Sequence, residues 1–564
     1  MNAYLLALLA TLATTGRVLG LILLSVVTGW FFGYAAIKSR VFENAYIASI
    51  EVLESVPVIS FFPVVLIFFI KDVGGGLGVE LAADFLVFTA VVWNIWVGIY
   101  QAFKTIPNEM LEVTKNFEMS FLQKLRYAYI PFSVPRIAAN LFPSLADGFF
   151  YITVSEVLSV GTTSYSTFGI GTVIDRFSSQ GDFFMVYVSL IFIGAAVVLT
   201  VLGMREFSKY AVAKYALDTN QPIRKGRGFR ISSLMSKNPF QKLSFYSLTS
   251  KARTTPRRKG FLERPEEEEK QNRMSKIVPA AVGFLLLALL IYGAVSLVIG
   301  VSPSLWSQLL SMTPYFLYSM LVDYARVGVI TLVSLALAIT VGYYLAVHAR
   351  AEASMVPLIQ SLSAFPAPTY FPVLFALTAG LVRGFLGPYT VEFYVLLVGF
   401  ISTFYYIFYS FWMGIRAMPQ EYWDVMDNLN MGFFQKMRHV LLPATFPYII
   451  AGISSTVNSA WGGLMIGEYW PDIYKGYTLT VRVGLMKLMD VYTAEGQIAL
   501  VSWASLLFGI VVVVYSIFFT RKMMDLARKK YVAEEGVYAA RRDRLGESLI
   551  VSRGRKPFVG EGEK

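Results

Sequence analysis

The stretch PQEYWDVMDNLNMGFFQKMRHVLLP, from Pro419 to Pro443, lies between two long apolar segments and mixes acids, bases and aromatics. The same pattern occurs once before as PNEMLEVTKNFEMSFLQKLRYAYIP, from Pro107 to Pro131. The offset between the two is constant, since 443 − 131 = 312 and 421 − 109 = 312. Each stretch predicts an amphipathic helix, a short break and a basic second helix that ends at the proline. Two such loops in one apolar chain indicate two equivalent docking surfaces for a soluble partner.

The residues expected to contact this partner are charged, amide or aromatic residues at matching positions. Helical spacing places the leading acids of each loop on one face, and an aromatic anchor follows the break. The candidates are Glu109, Glu112, Phe121, Gln123 and Lys124 in the first loop, and Glu421, Asp424, Phe433, Gln435 and Lys436 in the second. The alternative is that each loop only lies in the lipid headgroup region, where basic and aromatic residues also accumulate.

The composition identifies the class of protein. Of 564 residues, 56% are hydrophobic and only 15% are charged. Many apolar runs reach about 20 residues, which is the length of a membrane-spanning helix. The sequence therefore predicts an all-α polytopic membrane protein in contact with the lipid bilayer. The net charge of +12 is assigned to basic cytoplasmic loops and not to nucleic-acid binding.

The order of apolar and polar segments predicts four regions. Residues 1–206 carry about five spans, beginning with an uncleaved helix that ends near Ile37, and residues 277–520 carry about six. Between them, residues 207–276 form a basic cytoplasmic linker, with a regulatory or lipid-binding segment as the alternative. Residues 521–564 form a basic cytoplasmic tail. Basic loops on the cytoplasmic side place the N-terminus outside and the C-terminus inside.

An internal repeat covers more than the two loops. Arg17 matches Arg326 at an offset of 309, and Glu156 matches Glu468 at an offset of 312. Six predicted crossings separate the two matched arginines, so the repeats run the same way through the membrane. The sequence thus predicts two parallel repeats and about 11 transmembrane helices in all. Arg17 and Arg326 themselves have two interpretations: a basic pathway that would suit anions, or residues at helix ends.

Several residues are candidates for a pathway or gate. Paired prolines interrupt the segments near 55–70 and 364–380, and either line a pathway or only kink the helices. The lining candidates are Ser60, Phe61, Thr369 and Tyr370. Glu156 and Glu468 are interpreted as an external gate or as simple interfacial salt bridges. The Gly-rich stretch at 161–172 is assigned to a plain external loop.

The sequence shows no motif for disulfide formation, metal binding, ATP binding or catalysis. It contains no cysteine and only two histidines, which excludes disulfides and thiolate or histidine-based metal sites. No phosphate-binding G-x-x-x-x-G-K-[ST] loop is present, and no catalytic constellation is visible. No catalytic, cofactor-binding or metal-binding residue is therefore predicted.

The two loops resemble the cytoplasmic signature of binding-protein-dependent ABC importer permeases. That signature runs Glu-Ala-Ala, three residues, Gly, and later Ile-x-Leu-Pro. Glu112 and Asp424 stand at the position of its Glu, nineteen residues before each closing proline. Glu118 and Asn430 stand where the signature has glycine, and neither alanine is kept. The segment from Ser459 to Trp470, with Trp461 and Glu468 as further gate candidates, is similar to the nitrate, sulfonate and taurine branch.

The resemblance implies two fused type I permease units that work by alternating access in the cell membrane. It implies two separate ATPase subunits, which hold ATP and Mg, and an external substrate-binding protein. The chain itself would have no ATP site, and the substrate would be a small anion such as nitrate, a sulfonate or a related oxyanion. The alternatives are an amino acid or vitamin precursor as substrate, an ion-coupled secondary transporter built from parallel repeats, or a membrane scaffold or enzyme.

Overall fold

A computed structural model describes residues 2–39, 65–106, 108–160, 163–215, 302–416, 418–474 and 476–515, with scattered residues at 42–58 and 518–526. Most of the predicted linker, the predicted span at 277–300 and the end of the tail lie outside the described residues. So do the lining candidates Ser60 and Phe61.

The N-terminal half of the described chain is a series of long helices joined by short elements. In order they are α1 (Ala3–Lys38), a π-helical segment (Val65–Val73), α2 (Gly75–Lys104), α3 (Asn108–Asn116), α4 (Phe121–Lys124), a π-helical segment (Leu125–Tyr129), α5 (Ile130–Ser155), β1 (Val157–Val160), β2 (Thr163–Ser166), α6 (Ile170–Ser179) and α7 (Phe183–Tyr215). Helix α7 continues past the predicted boundary at residue 206.

The C-terminal half has the same sequence of element types after its first helices. In order they are α8 (Pro303–Leu337), a π-helical segment (Ala338–Gly342), α9 (Tyr343–Val347), α10 (Ala349–Ala364), α11 (Ala367–Leu386), a 3-10 turn (Gly387–Tyr389), α12 (Thr390–Arg416), α13 (Gln420–Asn428), α14 (Phe433–Lys436), a π-helical segment (Met437–Leu441), α15 (Leu442–Glu468), β3 (Tyr469–Tyr474), β4 (Tyr477–Thr480), α16 (Leu485–Ala494) and α17 (Ile498–Tyr515).

The length and hydropathy of the helices confirm a helical membrane chain. Within the described ranges, seven helices are long and apolar enough to cross a bilayer. The helices Phe121–Ala138 and Asn140–Ser155 are bent by 61° relative to each other. They add an eighth span if together they cross the membrane once. The prediction of about 11 spans includes the segment near 51–70, which is described mainly from residue 65 onward, and the segment near 277–300, which lies outside the description.

Two local predictions are wrong. The basic second helix of each loop does not end at its proline, because Pro131 and Pro443 lie in the first turn of α5 and α15, where the missing N–H is tolerated. The helices therefore run from the loops directly into the membrane-spanning segments. The stretch at 161–172 is not a plain loop either, since it forms strand β2, paired antiparallel with β1, and the start of α6.

The helices of the two halves pack together through aromatic and small residues. Phe142 on α5 places its ring 5.1 Å from that of Tyr409 on α12. Within the C-terminal half, a Cβ built on Gly463 of α15 would lie 2.6 Å from the Cα of Gly399 on α12. Small residues at such crossings let membrane helices approach closely. In each half, we call the loop residues (105–129 and 417–441) the loop end of that half, and the hairpin residues (157–180 and 469–497) its hairpin end.

Candidate functional site

The two loops at the loop end share their local geometry. In each, a glutamine at the third position of the short helix caps its own N-terminus. The N–H of Ser120 donates to Gln123 Oε1 at 2.8 Å, and the N–H of Gly432 donates to Gln435 Oε1 at 3.0 Å. The predicted partner contacts Gln123 and Gln435 therefore hold their amide oxygens within the loop, where they fix the angle between the two helices.

The break in each loop has left-handed backbone. Glu118 has φ 46° and Asn430 has φ 49°. This conformation is easy for glycine, tolerated by asparagine and unfavourable for most other side chains. It accounts physically for a glycine at this position of the resembled signature.

Each of the two predicted aromatic anchors, Phe121 and Phe433, packs against a tyrosine of its own half. Phe121 packs its ring 4.8 Å from Tyr34 near the end of α1, and Phe433 packs 5.3 Å from Tyr343 at the start of α9. The neighbouring apolar residues Leu122 and Phe434 are far more exposed, at 70% and 83%. This pair was not predicted from the sequence, although its offset, 434 − 122 = 312, gives the signal. Phe117 and Leu429 form a second exposed pair at the same offset.

The charged loop residues are open to solvent for the most part. Glu112, Glu421 and Asp424 are exposed, and Asp424 accepts a hydrogen bond from Gln420 at 3.2 Å. Lys436 pairs with Asp427 at 2.8 Å, and Lys124 is half-buried. The side chain of Glu109 lies outside the description. Exposed acids and apolar rings on one surface are compatible with a protein-docking surface.

At the hairpin end, Arg17 and Glu156 meet in a buried polar cluster. Arg17 pairs with Glu80 and lies 3.7 Å from Glu156. The hydroxyl of Thr14 donates to Glu156 Oε1 at 2.6 Å, and the N–H of Gly171 donates to Oε2 at 2.7 Å. Burial raises the pKa of Glu156 to about 7, although these donors and Arg17 oppose the rise.

Arg326 organises the corresponding cluster of the C-terminal half. It lies 2.8 Å from Asp323, 3.0 Å from Glu468 and 2.6 Å from Glu392. The N–H of Leu485 donates to Asp323 at 2.7 Å, as the N–H of Ile170 donates to Thr14 at 2.9 Å in the first cluster. Asp323 was not among the residues predicted from the sequence. Its offset from Thr14, 323 − 14 = 309, makes it the counterpart of Thr14 in the C-terminal half.

The clusters correct one prediction and bear on another. Arg17 and Arg326 lie well inside α1 and α8, not at helix ends, because buried carboxylates neutralise them there. The geometry of Glu156 and Glu468 is that of buried ion pairs that tie a spanning helix to its hairpin. Gly169 and Gly484 allow this, since a Cβ on either would overlap the carboxylate.

The other described pathway candidates contact neighbours within the C-terminal half. Trp461 is fully buried, with its ring 4.9 Å from Tyr324 and 4.6 Å from Phe508. Thr369 is buried, and its hydroxyl donates to the carbonyl of Pro366, where α10 and α11 are separated. Tyr370 stacks on Phe365 at 5.0 Å. None of these candidates lines the cavity described next.

A small polar cavity of about 50 Å³ lies where helices of both halves meet. Helix α2 contributes Asn94, α5 contributes Asp147 and Tyr151, α12 contributes Tyr406, and α15 contributes Asn458 and Ser459. The hydroxyl of Tyr406 donates to Asp147. Sequence analysis missed this site because its polar residues are single positions inside apolar runs.

Comparison with known proteins assigns part of the chain. A family model described as "Binding-protein-dependent transport system inner membrane component" matches residues 334–531. This region, which contains the second loop, corresponds to the membrane subunit of such a system and not to an ATPase.

Individual relatives are distant. The nitrate import permease proteins NrtB of Synechococcus elongatus and Leptolyngbya laminosa are each 26% identical, over 148 and 159 residues. Both alignments cover 26% of this chain, and they cover 50% and 53% of the relatives. The provisionally named aliphatic sulfonates transport permease protein SsuC of Bacillus subtilis is 29% identical over 68 residues, 12% of this chain and 25% of that protein. The chain thus spans about half the length, or less, of the curated relatives it matches.

Proposed function

We propose that the chain is the transmembrane permease subunit of an ATP-driven, binding-protein-dependent ABC importer. The observation that carries this proposal is the family match over 334–531, which includes the loop from Pro419 to Pro443. Two ATPase subunits, with ATP and Mg, bind the two loops, and an external binding protein delivers the substrate. The loops lie inside, and the N-terminus and the hairpin end lie outside.

We further propose that both permease units reside in this one chain, as parallel repeats. The family match leaves residues 1–333 unassigned, so this step depends on geometry. The left-handed break recurs at an offset of 430 − 118 = 312. Helices α6 and α16 both have 10 residues and begin 485 − 170 = 315 apart. The two arginine clusters use matching positions, which supports a common ancestral unit.

The path of the helices supports a mechanism of coupling. Because α14 runs through a π-helical segment into α15, a displacement of the second loop acts directly on Asn458 and Ser459 at the cavity. Helix α4 likewise runs into α5 and so to Asp147, with a bend of 61° between Ala138 and Asn140. Closure of two ATPase subunits on ATP would move both helices together and open the cavity to one side.

The substrate is a separate question within this proposal. The names of the relatives favour a small anion, nitrate or a sulfonate. They belong to proteins only 26–29% identical over a quarter of this chain or less. The chemistry of the cavity favours another class, which is argued below.

Copurification tests the proposed function. The tagged full-length chain, solubilised from its native membrane, is expected to bring down an ATPase subunit in a ratio of two per chain. The complex in proteoliposomes is expected to hydrolyse ATP faster in the presence of its binding protein. Recovery of the intact chain without any ATPase, together with uptake driven by an ion gradient alone, would point instead to a secondary transporter.

A further inference from the structure

The central cavity lies near the middle of the membrane. Asp147 is eight residues before the end of α5 at Ser155, and Ser459 is nine residues before the end of α15 at Glu468. At about 1.5 Å per residue, both positions are about 12–14 Å from the hairpin end of their helices. A hydrocarbon core is about 30 Å thick, so the cavity is close to the midplane.

The polar groups of the cavity carry one kind of charge. Asp147 supplies a carboxyl, and the other polar lining groups are amides, hydroxyls and an indole. No lysine, arginine or histidine is among the described lining residues.

The two matched arginines, which could have attracted an anion, are already paired with carboxylates. Arg17 pairs with Glu80 and Glu156, and Arg326 pairs with three carboxylates at the hairpin end. A small oxyanion in the cavity would therefore meet the carboxyl of Asp147, with no lysine, arginine or histidine among the described lining residues to attract it. At about 4 Å, two like charges in a protein repel strongly enough to weaken binding by orders of magnitude.

Aromatic rings complete a different kind of site. The rings of Trp93, Tyr151 and Tyr406 line the cavity together with Asp147. The face of an aromatic ring attracts a cation, most strongly where water is excluded. A carboxylate within a set of aromatic rings is suited to a positively charged nitrogen. It offers an oxyanion only the hydroxyl, amide and indole donors.

The two halves contribute unequally to this site. At the offset of 312, the counterpart of Asp147 is Ser459, and the counterpart of Asn94 is Tyr406. Among the described lining residues, Asp147 is thus the one charged group, although the cavity lies between two related halves. One carboxylate matches one positive charge.

We propose that the cavity is a substrate-contacting site for a small organic cation with one positively charged nitrogen, which Asp147 binds. This inference rests on the proposed importer function, because it takes the cavity as part of the pathway. In the present conformation the cavity has room for a few water molecules only. The solute would enter it when the helices of the two halves separate.

Uptake by the complete system, permease with its ATPase and binding protein in proteoliposomes, tests the inference. The probes are choline and ethanolamine as organic cations, and nitrate and ethanesulfonate as anions. ATP-dependent uptake of at least one cation and of neither anion is expected. Asp147→Asn, which keeps the acceptor for Tyr406, should lower cation uptake at least 10-fold, while Asp147→Glu should keep more of it. Asp72→Asn, the same change at an exposed aspartate outside the cavity, is the control and should leave cation uptake unchanged.

Three outcomes overturn the inference. They are ATP-dependent uptake of nitrate or ethanesulfonate, failure of both cations, and cation uptake that is unchanged by Asp147→Asn. Failure of the proposed function would be distinguished from these, because the ATPase would then not associate with the chain and no probe would move on addition of ATP. The level of each variant in the membrane and its copurified ATPase serve as controls for folding.

Discussion

Single residues at the break of each loop carry the strongest local constraint. Glu118 and Asn430 hold the left-handed conformation that only glycine adopts without cost. Glutamate is the poorer of the two in this conformation, since the short polar side chain of asparagine tolerates it. The two loops therefore differ in how much strain they contain.

Replacement of these residues should reveal that strain. Glu118→Gly is expected to raise stability by about 1 kcal/mol, more than Asn430→Gly, and Asn430→Val to lower it by about 1–2 kcal/mol. Asn116→Gly, inside helix α3, is the matched control and should lower stability by a few tenths of a kcal/mol. Thermal unfolding in detergent measures all four, and a Glu118→Gly variant that is less stable than wild type would contradict the assigned backbone.

The sequence predicted which residues of the two halves correspond, but not which of them contact one another. The matches Arg17 with Arg326 and Glu156 with Glu468 were readable, and the structure brings each Arg together with its Glu. The sequence did not predict that each arginine contacts the glutamate of its own half, because the contact of Arg17 with Glu156 depends on how α1 crosses the end of α5. The cavity around Asp147 was missed for the same reason, since helices that are distant in sequence supply its residues.

At the scale of elements, the loop end presents exposed apolar side chains next to acids. Phe433 packs against Tyr343, whereas Phe434 is 83% exposed and Leu122 is 70% exposed. Large apolar side chains at the centre of a patch supply most of the free energy of a protein interface. For the ATPase partner of the proposed function, we therefore predict that Phe434 and Leu122 make the main contact, beside the acids predicted from the sequence.

Truncation of the exposed ring should separate docking from folding. Phe434→Ala is expected to weaken ATPase association at least 10-fold, equivalent to about 1.4 kcal/mol or more, and to leave the unfolding temperature unchanged. Phe385→Ala is the matched control, because Phe385 is 84% exposed but lies at the end of α11, outside the loops. Association is measured by copurification at graded ATPase concentrations, and equal effects of the two changes would refute docking at Phe434.

Elements were predicted well where periodicity is long and poorly where it is short. The spanning helices follow from apolar runs, and α1 ends at Lys38, next to the predicted Ile37. The hairpin at Val157–Ser166 was missed because four-residue strands give no periodic signal. The continuation of the helices through Pro131 and Pro443 was missed because proline ordinarily marks a helix boundary.

For the whole molecule, the decisive question is whether the two halves cross the membrane in the same direction. Matched elements recur with an offset of 312 from the loop end to the first strand of each hairpin, and of 315 at α6 and α16. If the halves are parallel, every matched pair of positions faces the same side of the membrane. If they are inverted, as in many ion-coupled transporters, matched positions face opposite sides.

Single-cysteine labelling distinguishes these arrangements, and the chain has no cysteine of its own. Asn116→Cys and Asn428→Cys are an exposed pair at the loop end, and Ser179→Cys and Ala494→Cys are an exposed pair at the hairpin end. An impermeant maleimide applied to intact cells should label both hairpin-end cysteines and neither loop-end cysteine, and both loop-end cysteines only after permeabilisation. Retained ATP-dependent uptake shows that each variant is folded. Labelling of one member of a pair from each side would refute the parallel arrangement, because no rigid shift of the chain changes the side of one member alone.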